Sequence, residues 1–155
     1  MPSYKDLNDS LKTKLEANAY IIANSVTVQK WARGMEVQDD DGSISTNDSD
    51  LPLAVITIPH AGKTSTDNPR VIDSLIPGMV EIVTVAATRQ AGVDPHLDLM
   101  DAIETELEAL KTSANNLGTN TLVTNVTGVP VSLKRGENWY FITRMTFQIM
   151  RTNTF

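Results

Sequence analysis

Apolar positions recur at two different spacings along this chain, and the change from one to the other predicts its elements. Tyr4, Leu7, Leu11, Leu15, Ala19 and Ile22 fall three and four residues apart, the spacing of one buried helix face. Ser3 stands as an N-cap with Asp6 as its reciprocal acid, so a first helix is expected with that face running from Tyr4 to Ile22. Val26 and Val28 then alternate, followed by Trp31 and Met35, which predicts a strand ending near Gly34. The β-branched run LPLAVITIP (51–59) and the alternating run GMVEIVTVAATR (78–89) both read as strands with at least one buried face. Between them, His60 to Pro77 is mostly polar and is expected to be a long connection.

The second half of the chain repeats the contrast. In GVDPHLDLMDAIETELEALK, Asp94 is placed as an N-cap and Pro95 at the first helical position, with the stripe Leu97, Met100, Ile103, Leu107 and Leu110 facing a core. After the turn-rich TSANNLGTN come the strands TLVTNVTG and VPVSLK, a turn at RGEN, and the longest strand, WYFITRMTFQIM. Trp139, Phe141, Met145, Phe147 and Ile149 share one of its faces. The opposite face carries Tyr140, Ile142, Arg144, Thr146, Gln148 and Met150 and is too apolar to be simply wet. The expected fold class is α+β, a mostly antiparallel sheet with two main helices packed on one side. It is a single domain over 1–155, with a variable loop or arm region at 39–78.

Composition narrows the function. With 155 residues, 41% of them hydrophobic, the chain suits one domain. No apolar run reaches the ~20 residues of a membrane span, and the amino terminus lacks a signal peptide's apolar core, so no membrane partner is expected. The absence of cysteine removes disulfides and thiolate metal sites. A net charge of −6 opposes a general nucleic-acid-binding role. The charge is also segregated. Residues 1–34 hold five basic and three acidic side chains, residues 35–50 six acids and no base, residues 94–111 six acids and one base, and residues 112–155 four bases and one acid. Unlike surfaces of this kind can fix the register of copies that meet side by side.

Candidate chemistry is hinted at in several places and fails in each. In VQDDDGSISTND (37–48), Asp39, Asp41, Gly42 and Ile44 match positions of a calcium-binding loop. Val37, however, stands where the first ligand should be, and Asp48 is one methylene shorter than the bidentate glutamate. An acidic surface loop containing Asp39, Asp40, Asp41 and Asp48 is expected instead, and no metal. Gly62, Lys63 and Thr64 resemble the end of a phosphate loop, but Thr57 occupies the first glycine position and Asp67, Asn68 and Pro69 follow where a helix should start. His96 is placed in the first turn of the second helix, and it and His60 are expected as surface histidines. Asp98, Asp101, Glu104, Glu106 and Glu108 are expected to form a solvated helix face rather than an acid–base pair. No cofactor and no catalytic residue is expected. Trp31 and Trp139 read as core or interface anchors.

Three stretches, SYKDLNDSLKTKLEANAYI, VTVAATRQAGVDPHLDLMDAIETELEALK and VTGVPVSLKRGENWYFITRMTFQIMR, together resemble the tail-terminator proteins of long-tailed bacteriophages. The resemblance lies in the order of elements and covers most of the chain outside residues 39–78. It implies a non-enzymatic virion protein, assembled in the host cytoplasm into a homo-oligomeric ring, a hexamer. That ring would cap the tail tube, contact the tail tube protein and a head-closure or neck protein, and let genomic DNA pass without specific binding. Acids at Asp39, Asp40, Asp41 and Asp48, or at Asp98, Asp101, Glu104 and Glu108, would then face the lumen. Trp31, Arg33, Tyr140, Arg144 and Arg151 would lie at the subunit interface. The rival readings are another neck component, a head-closure or adaptor protein, and a small cytosolic enzyme or ligand-binding protein whose pocket would gather His60, His96 or Lys63.

Overall fold

The first helix is shorter than its apolar spacing predicts. In the computed structural model, which describes residues 3–30, 50–59, 72–112, 117–118 and 121–152, α1 runs over Tyr4–Glu16. Ser3 and Asp6 form the expected capping box at its start. The chain then breaks, and Asn18 caps a second short helix, α2 (Ala19–Ala23), by accepting from the backbone N–H groups of Tyr20 and Ile21. The break rotates the apolar face. Ile21 is buried, and Ile22, expected inside, is 65% exposed.

Two strands follow, β1 (Thr27–Lys30) and β2 (Leu53–Thr57), paired in parallel. The part of the first strand expected beyond Lys30 lies outside the described residues. β3 (Ile72–Ala86) starts earlier than its alternation suggested and takes in half a dozen residues assigned to the long connection. Pro77 disguised this. It withholds a ladder donor, and it lies beyond the Thr57–Met79 pair that ends the β2 ladder, where β6 alone pairs with β3. After α3 (Arg89–Ala109) come β4 (Thr121–Thr127), β5 (Pro130–Arg135) and β6 (Asn138–Thr152). The sheet order is β1-β2-β3-β6-β4, and β5 shares the β6 edge with β4: β5 pairs with the first half of β6 and β4 with the second. All pairs but β1–β2 are antiparallel, so the fold is the expected single-sheet α+β class.

α1 and α3 cover one face of the sheet. Leu7, Leu11 and Leu15 from α1 and Leu99, Ile103 and Leu107 from α3 meet Ala54, Ile56, Ile76, Val80, Ile82, Met145, Phe147 and Ile149 in one cluster. The opposite face is partly dry, as its composition suggested: Leu53, Val55, Val83 and Ile142 form a second, smaller cluster with Leu51 and Leu133 packed on it. β2 therefore buries both its faces and reads as a continuous apolar run.

A buried amide helps tie α1 to the sheet. The buried Asn8 side chain donates to the Tyr4 and Ile58 carbonyls (2.8 and 3.0 Å) and accepts from the Ile58 N–H (3.1 Å), acting as a one-residue strand partner just past β2. Replacing Asn8 with Leu preserves bulk and strands two buried backbone groups. The expected loss is about 2 kcal/mol by urea unfolding, and a change under about 0.5 kcal/mol would mean that water replaces the amide.

Candidate functional site

The outer side of α3 is a long exposed surface among the described residues. Its inner stripe is Gly92, His96, Leu99, Ile103 and Leu107, which leaves Asp94, Asp98, Asp101, Glu104 and Glu108 exposed on the outer side. Among the described residues only Glu108 of these is in an ion pair, with Lys111 at 2.8 Å. At about 1.5 Å per residue the helix is roughly 30 Å long, so the carboxylates form a row rather than a point.

Two expectations about this helix are corrected. It begins at Arg89 with Thr88 as N-cap, the hydroxyl accepting from the Ala91 N–H, and Pro95 lies inside it. Pro95 and Ala91, whose carbonyl the proline cannot serve, are both exposed, so water can take the missing bond. The apolar stripe is also turned by one position in its first half, leaving Leu97 41% exposed and His96 buried.

His96 is thus a core histidine. Its Nδ1 is 2.8 Å from Thr84 Oγ1 and its Nε2 2.7 Å from Thr143 Oγ1, while Thr143 spends its hydroxyl proton on Met100 Sδ at 3.3 Å. Nε2 must therefore carry the ring proton, and Nδ1 accepts from Thr84. Phe141 lies against the ring at 5.7 Å between centroids. Burial pushes the imidazole pKa down to about 4. The helix is docked so closely here that a Cβ on Gly92 would overlap the Phe141 ring and lie 2.9 Å from Ala86 Cβ.

On the far side of the sheet an open cleft of about 690 Å³ is lined by Thr57, Pro59, Met79, Arg144, Thr146 and Gln148, among others. Under it, Glu81 is fully buried and accepts from Arg144 Nε at 3.2 Å across the β3–β6 ladder. The guanidinium stays half exposed beside the cleft and offsets the cost of a carboxylate out of water. The hydroxyl of Thr57 is buried with no hydrogen-bond partner among the described residues. His96 is on the opposite face, so the cleft does not gather it with Arg144.

Of the residues singled out from sequence, Asp98, Asp101, Glu104 and Glu108 come together along α3. Asp39, Asp40, Asp41, Asp48, Trp31, Arg33, His60 and Lys63 lie outside the described residues. Tyr140 is buried at 6% exposure, Arg144 holds Glu81, and Arg151 lies in β6. Sequence reasoning passed over Asn8, Glu81 and the His96 pair of threonines. Only Asn8 had a signal: it falls one residue after Leu7 on the buried side of an otherwise regular stripe. Among the described residues no three His, Asp or Glu side chains converge as metal ligands would, and no helix there is long and apolar enough to cross a membrane. No protein-family model matches the chain, and neither does any curated protein sequence.

Proposed function

We propose that this protein is a structural ring subunit that acts through shape and surface charge, in the role of the tail terminator of a long-tailed phage. The observation that carries this reading is the row of exposed carboxylates along α3. A helix that presents Asp94, Asp98, Asp101, Glu104 and Glu108 to solvent, repeated around a ring with α3 innermost, lines a channel with negative charge. Such a lining repels phosphates and keeps a passing duplex from making multivalent contacts. The tail tube protein and a head-closure or neck protein are the partners this role requires, and a virion is its location.

The experiment is light scattering with particle imaging of the purified protein, alone and with tail tubes. Annular particles that bind tube ends are the expected result. If rings form, changing Asp101, Glu104 and Glu108 to Lys should leave them assembled and make them retain duplex DNA in a salt-dependent way. A protein that stays monomeric at every concentration, with or without tubes, overturns the proposal.

A further inference from the structure

Five large apolar side chains stand exposed among the described residues: Ile22, Val93, Leu97, Val129 and Val131. Their placement is not random. Val93, Leu97 and Val131 line one cleft of about 170 Å³ between α3 and β5, together with Pro130 and Arg89, and Val129 sits beside it in the turn into β5. The fifth, Ile22, is on the other flank of α3. It belongs to α2, which is fastened to that flank by Asn18 Nδ2 donating to Glu106 (2.8 Å) and the Tyr20 hydroxyl donating to the Pro95 carbonyl (3.3 Å). α3 therefore has an apolar hole on one side and an apolar knob on the other.

Charge marks the same two places with opposite sign. Arg89 lines the hole and lies 5.8 Å over the Trp139 ring, while Lys134 is the cross-strand partner of Trp139. On the knob's side of α3, Asp98 is close enough to Tyr20 of α2 to help burial hold its phenol pKa above the ordinary value. Arg89, Lys134 and Asp98 are exposed, and none is in an ion pair among the described residues.

We infer that Ile22 of one copy inserts into the cleft between α3 and β5 of the next, with Asp98 set against Arg89 and Lys134. The occupant is a second copy because the chain itself carries the complement of its own cleft in both shape and sign. The two patches differ, so the contact is head to tail, and head-to-tail contacts close into rings when the rotation allows. The two patches flank α3 on either side of the row that carries Asp94, Asp101, Glu104 and Glu108. This inference rests on the ring reading and specifies how its subunits meet.

The test uses Ile22→Lys and Leu97→Glu in the full chain, each placing a charge that the neighbour's own charges repel. Far-UV circular dichroism and melting curves check that both fold; Ile22→Ser and Leu97→Ser substitute if either does not. Sedimentation velocity should find each variant's self-association weakened by more than about tenfold. An equimolar mixture should associate where neither variant does alone, because one intact knob then meets one intact hole. Wild-type association should also weaken as salt is raised. Folded variants that assemble like the wild type overturn this contact while leaving the ring reading standing. A wild-type protein that never associates overturns both.

Discussion

Phe147→Ala is expected to lower the unfolding free energy by about 3 to 5 kcal/mol, the range for emptying an aromatic site in a packed core. The ring is 3% exposed within the cluster under α1 and α3. It lies over Gly78, its direct partner across the β3–β6 ladder, so closely that a Cβ there would overlap the ring edge and stand 2.6 Å from Cζ. Gly78 is in a strand, where alanine ordinarily gains about 0.5 to 1 kcal/mol. Here Gly78→Ala should instead lose about 1 to 3 kcal/mol through overpacking. In a Phe147→Leu background the same substitution should become neutral or favourable, because the smaller side chain leaves room for the methyl. Urea unfolding of the four proteins of that cycle gives the coupling. Additivity within about 0.5 kcal/mol would show that the ring does not rest on the glycine, and a Phe147→Ala loss under 1 kcal/mol would show that the face is not core.

That strand face was legible in the sequence because alternation is a two-residue rule, so a fifteen-residue strand such as β6 offers many chances to confirm it. Helix faces were less secure. Apolar residues alone place the α3 stripe on Leu97 and Met100, whereas the inner positions of its first half are Gly92 and His96. Including a small residue and an imidazole with two potential hydrogen bonds would have given the spacing 92, 96, 99, 103, 107 and moved the helix start back past Pro95. α1 failed in the opposite way. Its spacing continues without a gap to Ile22, and only the capping preference of Asn18 marks the break.

The site was legible in kind and not in place. Exposed acids at helical spacing announce a solvated outer face, and that is where α3 puts them. The cleft between α3 and β5 depends on how far an edge strand stops short of a helix, a distance no local pattern encodes. The edges themselves argue about assembly. β4 has a register shift between Thr124 and Thr127, with Asn125 at φ +56°, and β5 opens on Pro130 and closes on Lys134 and Arg135. Bulges, prolines and charges of this kind discourage strand-to-strand joining at the β4–β5 edge.

Acid should destabilise the protein through one residue before its carboxylates contribute. His96 has its imidazole pKa lowered from 6.5 to about 4 by burial between α3 and the sheet. Above pH 6.5 both the folded and unfolded forms are neutral, and the residue has no effect on the pH dependence. As pH falls below that value the unfolded chain takes up a proton that the folded one refuses, so stability declines until pH reaches about 4 and the folded form protonates too. The span corresponds to about 3 kcal/mol. Asp9 acts in a different window. Its carboxyl is held at about 2 by Lys30 and then Lys5, so its contribution is present above the ordinary carboxylate value and is lost only as pH drops toward 2. Urea unfolding across this range should therefore show the wild type losing about 3 kcal/mol between pH 6.5 and 4, and His96→Gln, which keeps a polar group between Thr84 and Thr143 but does not titrate, should lack that slope. The variant would be the less stable protein at neutral pH and would approach the wild type as pH falls. Parallel curves for the two proteins would mean that the imidazole exchanges protons with solvent and that α3 does not seal it.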